Sequence, residues 1–132
     1  MRYMLDTNTC IYAIKHRPPE VLAALRAHES AGLGVSIITV AELTFGVAKS
    51  GSARNAAALK QFLEPLSVAD FDGPAAATYG KLRAALEAAG TPIGPLDTQI
   101  AAHALALDVT LVSHNTREFS RVPGLKLVSW VA

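Results

Sequence analysis

The chain is 132 residues long, with 51% hydrophobic residues, 17% charged residues and a formal net charge of +1. That composition excludes a disordered or fibrous chain, and a charge so near zero gives no global field to attract nucleic acid, so any such binding must rest on local patches. A single cysteine, Cys10, excludes an internal disulfide framework and a zinc site built of thiolates, and it fits a reducing, cytoplasmic compartment.

Tyr3-Met4-Leu5 is a short apolar run, a strand candidate, and Asp6 breaks it before a leader-peptide core could form. From Thr9 to His16 the apolar residues Cys10, Ile11, Ala13 and Ile14 recur at helical spacing. Pro18 and Pro19 end that helix and open a second, with Val21, Leu22 and Leu25 on its apolar side. Gly32 and Gly34 punctuate the chain before Val35–Ile38, which reads as a buried strand. Ala41, Leu43, Phe45, Val47 and Ala48 continue as an apolar helix up to Gly51. Helices are expected over Ala53–Leu63 and Pro74–Ala89, flanking a short strand at Leu66–Ala69. A Gly/Pro loop from Gly90 to Pro95 precedes a helix over Leu96–Leu107, and Val109–Ser113 and Lys126–Val128 read as late strands. The longest stretch without formal charge, Ser30–Ala41, is too short and too polar for a membrane span, which needs about 18 apolar residues. Strands that alternate with helices and are apolar throughout belong in a covered parallel sheet. The expectation is one α/β domain over residues 1–132, three layers deep, with a small, mainly parallel sheet flanked by helices.

Three windows, Tyr3–Ile14, Ser30–Ala48 and Ala88–Leu107, are nearly free of charge. Each contains one charged residue, and in every case it is acidic: Asp6, Glu42 and Asp97. A carboxylate in apolar surroundings must be hydrogen-bonded, protonated, paired or bound to a cation. Taken singly, Asp6 and Asp97 read as helix N-caps and Glu42 as a surface residue. Taken together they form a pattern. Asp6 follows the first strand, Glu42 lies about one helical turn after the second, and Asp97 opens the helix before a later strand. Ligand sites in parallel sheets lie beyond the carboxyl ends of the strands, where these side chains can share one cleft. Oxygen-only ligands select a hard ion such as Mg²⁺ or Mn²⁺, which suits phosphoryl chemistry.

The residues around these acids resemble those of a known family. Met4-Leu5-Asp6-Thr7-Asn8 resembles the opening motif of PIN-domain nucleases, and Ser36 to Leu43 with Gly46-Val47 resembles their second motif. Ile93 to Asp97 followed by Ile100 to Ala104 is similar to the third, and Leu111 to Phe119 with Arg121 to Leu125 to the closing segment of the VapC toxins. The resemblance implies a PIN-like fold and a Mg²⁺- or Mn²⁺-dependent endoribonuclease acting on structured RNA, tRNA or ribosomal RNA. It also implies a homodimer that is the toxin of a toxin–antitoxin pair, restrained by a VapB-like antitoxin. It assigns metal binding to Asp6, Asp97 and Glu42, with a water activated by the ion attacking the phosphate to leave a 5′-phosphate and a 3′-hydroxyl. Many PIN domains carry Asp where this chain has Asn115; Glu118, one turn later, is the candidate substitute, and either residue could fill the fourth catalytic position. With one fewer negative charge the ion would be held more weakly. Thr7 and Asn8 are expected to orient the Asp6 carboxylate or to touch phosphate, and Arg117 to contact RNA.

Other polar residues read more simply. His103 is expected to be a satisfied core or edge histidine, Cys10 a small core residue, and Trp130 an anchor for the last strand; His114, in a loop near the acids, suits either solvation or an RNA contact. The flanking cations Lys15, Arg17, Lys49, Arg54 and Arg121 suit solvated helix ends or phosphate contacts. A phosphoaspartate enzyme would also cluster acids at a sheet edge. The haloacid-dehalogenase pattern, however, needs Asp where Asn8 stands, and a receiver domain needs a lysine where Ser113-His114-Asn115 supplies none. A PIN scaffold that only binds RNA or a partner is the remaining alternative, favoured by the neutral Asn115.

Overall fold

A computed structural model describes residues 1–132. Strand β1 (Tyr3–Leu5) takes the centre of the sheet, as a strand with no charge and two fully buried side chains should. It pairs in parallel with β2 (Leu33–Ser36) on one side and β4 (Thr110–Val112) on the other. β3 (Ser67–Ala69) extends the sheet beyond β2 and β5 (Leu127–Val128) beyond β4, so the order of the five parallel strands is β3-β2-β1-β4-β5.

Successive strand residues face opposite sides of a sheet, and the core divides accordingly. Met4 and Leu111 enter one apolar cluster with Leu82, Leu86, Ile100 and Phe119, beneath α5 (Gly73–Ala88) and α6 (Pro95–Leu107). Their neighbours Leu5 and Val112 enter the other with Cys10, Val21, Leu25 and Leu59, beneath α1 (Thr7–Lys15), α2 (Pro19–His28) and α4 (Ala53–Leu63). Helix α3 (Ile37–Ser50) sends Ile38 towards the first cluster and Leu43 into the second. The expected three-layer architecture with a parallel sheet is the one found.

Several boundaries differ from the expectation. β2 ends at Ser36 rather than continuing to Ile38, because the Ser36 hydroxyl accepts the Ile38 N–H at 3.1 Å and starts α3 there. The β-branched Ile37 and Ile38 resemble strand residues, but the cap decides. Glu42 therefore lies six residues beyond the strand, not one turn. A 3-10 turn over Glu29–Ala31 and the one-turn helix α7 (Thr116–Phe119) lie in stretches where no element was expected. Phe45, expected among the apolar positions of its helix, is 68% exposed.

His103 is the satisfied core histidine expected. Its Nδ1 lies 2.8 Å from the Ser36 hydroxyl and Phe71 packs edge-on at 5.2 Å, while burial pushes the imidazole below its ordinary range. Burial likewise raises the Cys10 thiol, which keeps it inert. Trp130 stacks on His28 of α2 with ring centres 5.1 Å apart and lies 6.2 Å from the ring of Tyr3.

The seam between β2 and β3 sets a limit on side-chain size. A Cβ on Gly34 would lie 2.6 Å from the Ser67 carbonyl oxygen and collide with the Met1 side chain, whereas one on Gly80 of α5 meets nothing within 4 Å. Gly34→Ala is expected to cost roughly 1–3 kcal/mol by forcing the strands apart, and Gly80→Ala to stabilise by about 0.5–1 kcal/mol. Denaturant midpoints of the two variants check both signs.

Candidate active site

Asp6 stands where β1 ends and α1 begins. Its Oδ1 accepts the Thr9 N–H at 2.8 Å, so the residue caps α1 and fixes the direction of its own carboxylate. Thr9 Oγ1 in turn donates to the Val112 carbonyl at 3.1 Å, tying the start of α1 to the end of β4. The side chain is 5% exposed. Asp6 is thus both the helix cap and a member of the acidic group.

The other acids arrive from three directions. Glu42, half-buried on α3, accepts a 2.8 Å hydrogen bond at Oε1 from the Thr7 hydroxyl at the start of α1. Asp97 lies in the first turn of α6, where the helix dipole favours an anion; it is not the cap, which is Gly94. Asn115 and Glu118 come from the segment after β4. The Asn115 amide donates to Asp97 Oδ2 at 3.4 Å and to Glu118 Oε2 at 3.3 Å, bridging the two carboxylates. Ser113 Oγ holds the Asn115 N–H at 3.0 Å.

Charge crowding is the outcome. Asp97 is raised from 3.8 to about 6, first by burial, then by the hydrogen bond and charge of Glu118, and then by the charges of Asp6 and Glu42. The protein's two ion pairs, Arg83–Glu87 and Lys126–Asp108, lie elsewhere, so no cationic side chain neutralises the group. The donor set is all oxygen and uncompensated, which fits a hard divalent cation. No three His, Cys, Asp or Glu side chains converge tightly enough to make a ready-formed cage. An ion that keeps several of its own waters, as Mg²⁺ usually does, fits such an open arrangement better than a fully dehydrated one.

The structure thus brings together Asp6, Glu42, Asp97, Asn115 and Glu118, with Thr7 beside them. Thr7 orients Glu42 rather than Asp6, a correction that follows from the cap geometry: the Thr9 backbone already holds Asp6. Asn8 is exposed and forms no side-chain hydrogen bond with the group. Arg117 is exposed on α7, and His114 is exposed with Nδ1 3.0 Å from Ser129 Oγ. Sequence reasoning missed Thr9 and Ser113, both buried hydroxyl residues that position members of the site. Thr9 was findable, since it stands three residues after Asp6, where a cap's hydrogen-bond donor belongs. Alongside the acids, α1, α3 and α4 enclose a groove of about 350 Å³ lined by Ile11, Ile14, Leu43, Val47 and Leu59, with Glu42 and Lys15 among its polar residues.

A five-stranded parallel sheet with carboxylates gathered beyond its strand ends is an architecture that other proteins share, and the comparisons identify them. The PIN-domain family model matches residues 3–125. The chain belongs to the PIN-domain family, and within it stands with the VapC ribonucleases. It is 46% identical to ribonuclease VapC2 of Haemophilus influenzae, over 99% of both chains. It is 40% identical to the tRNA(fMet)-specific endonuclease VapC of Salmonella typhimurium, over 98% of both. Among solved structures, the VapBC2 complex of Rickettsia felis bound to a promoter DNA fragment superposes with a TM-score of 0.91 at 40% identity, covering 98% of this chain and 99% of that one.

The raised Asp97 has a thermodynamic consequence. Between pH 3.8 and about 6 the folded protein keeps a proton that the unfolded chain has lost, so this residue's contribution to stability falls as pH rises and is fully lost above about 6. In EDTA, the melting-temperature advantage of Asp97→Asn over wild type is expected to grow from pH 4 to pH 6 and then level off. A difference that does not vary with pH would remove Asp97 from the repelling group.

Proposed function

We propose that this protein is the toxin of a type II toxin–antitoxin pair: a cytoplasmic, divalent-metal-dependent endoribonuclease that cleaves structured RNA. The observation that carries the reading is the group of carboxylates from β1, α3, α6 and α7 that face one another with no basic partner. Relatives at 40% and 46% identity over nearly the whole chain bear the names tRNA(fMet)-specific endonuclease and ribonuclease. Glu118 reaches Asn115 and Asp97 and supplies a carboxylate beside the neutral amide, which favours a hydrolase over a scaffold that only binds.

Asp6, Asp97 and Glu42 are the residues that would hold Mg²⁺ or Mn²⁺, with Glu118 adding charge. The ion's chemistry is to neutralise phosphate and acidify a water so that it can attack the scissile bond. The chain's own residues keep the site in shape. Thr7 hydrogen-bonds Glu42, the Thr9 N–H aims Asp6, and the Asn115 amide bridges Asp97 and Glu118 although their charges repel. Arg117, exposed on the segment that carries Glu118, is placed to touch the RNA backbone.

A VapB-like antitoxin and a second copy of the chain are the expected protein partners. Relatives crystallised as VapBC complexes support the first, as does the apolar groove beside Glu42, which suits an amphipathic segment. No helix is long and apolar enough to cross a membrane.

The test is cleavage of initiator tRNA and ribosomal RNA by purified protein with Mg²⁺, Mn²⁺ or EDTA. Wild type should cut with either ion and stop in EDTA. Asp6→Asn and Asp97→Asn should each lose roughly a hundredfold or more of the rate. Equal cutting by wild type and both variants in Mg²⁺ would refute the assignment. Arg117→Ala should weaken tRNA binding and lower the slope of log affinity against log salt by about one; a slope equal to wild type would exclude a phosphate contact.

A further inference from the structure

Phe45 is an aromatic side chain on α3 that the core does not use. It is 68% exposed, the most exposed of the large hydrophobic residues, and no other aromatic ring in the protein packs against it. A core role therefore does not explain it. Its place on the helix suggests another role.

Residues three and seven apart on an α-helix fall on one face. At 100° per residue, Glu42, Phe45 and Lys49 lie within about 60° of one another around the axis of α3, and they span about 10 Å along it. Glu42 belongs to the acidic group, Phe45 follows one turn on, and the exposed Lys49 ammonium follows one turn after that. The apolar groove is lined by Leu43, Gly46 and Val47 on the other side of Glu42; Glu42 borders it too, whereas Phe45 and Lys49 do not. A carboxylate, an open ring and a cation thus follow one another along this side of α3, each about one helical turn from the next. Unpaired RNA bases are bound chiefly by stacking on exposed aromatic rings, and backbone phosphates by lysine and arginine.

We infer that Phe45 is a stacking platform for the nucleobase next to the scissile phosphate, and that Lys49 holds the phosphate beyond it. The inference rests on the ribonuclease reading of the acidic group and adds to it how the substrate strand is held. Stacking tolerates any base, so Phe45 sets the position of the strand rather than its sequence. An unpaired nucleotide is required at the cut, because a base still stacked in a duplex has no free face for the ring.

The experiment uses the full-length protein and an initiator tRNA transcript as probe. Phe45→Ala should raise KM for cleavage by roughly tenfold, with kcat changed far less and the melting temperature unchanged, since the ring packs in no core. Phe45→Trp should restore KM. Its added indole emission should be quenched when tRNA is bound in EDTA, while wild type, whose one tryptophan is the buried Trp130, shows no comparable quenching. Lys49→Ala should lower the salt slope of binding by about one. Wild-type KM in Phe45→Ala, or an indole that tRNA does not quench, would overturn the inference. So would sedimentation showing that Phe45→Ala turns a dimer into a monomer, which would assign the ring to a second copy of the chain. Failure of the wild type itself to cut RNA with Mg²⁺ or Mn²⁺ would instead defeat the ribonuclease reading, so the two failures are separable.

Discussion

Repulsion between like charges is the constraint around which this molecule is arranged. Glu42 and Asp97 sit half-buried beside the buried Asp6, with Glu118 at hydrogen-bond distance from the Asn115 amide and no lysine or arginine among them. Left to themselves, such groups would swing apart into water or take up protons. The fold opposes the first outcome with specific hydrogen bonds: the Thr9 N–H on Asp6, the Thr7 hydroxyl on Glu42 and the Asn115 amide across Asp97 and Glu118. The second outcome shows in the raised Asp97. Above about pH 6 this crowding costs the folded state stability, a cost that a bound cation would offset.

Helix α3 borders each of the surfaces described above. Its first turn is capped by Ser36, whose hydroxyl also meets His103 in α6, so the helices carrying Glu42 and Asp97 are joined beneath the site by one buried contact. Along its exposed length α3 has two distinct sides. One forms a wall of the apolar groove beside α1 and α4; the other carries Phe45 and Lys49. Glu42 lies between them. A segment seated in the groove would meet a residue of the acidic group at its edge, and an RNA strand running along the other side would reach the same residue.

Much of this was legible in the sequence, for identifiable reasons. Asp6, Glu42 and Asp97 stood out because charge is costly in apolar windows, and the alternation of strands with helices implied a parallel sheet whose edge would gather them. What the sequence hid was decided by tertiary contacts. The end of β2 depended on whether Ser36 would cap a helix, and the β-branched residues after it pointed the other way. The partner of Thr7 was hidden because Glu42 is 35 residues away, on another helix. Asn115 and Glu118 could not be ranked from spacing, and the structure shows the two in contact, the amide donating to the carboxylate. Phe45 read only as one of the apolar positions of its helix, because hydrophobicity along a helix does not say which apolar residue faces outward.

The sheet itself restricts how this protein can meet others. Its two edges are β3, three residues long, and β5, with only two. Edges so short expose too few free amide and carbonyl groups to recruit a strand from a neighbouring chain, which is the usual route to sheet-to-sheet association and to fibrils. Short edges of this kind leave the helices and their side chains as the larger surface for association, so surface substitutions there would leave the sheet that holds the acids intact.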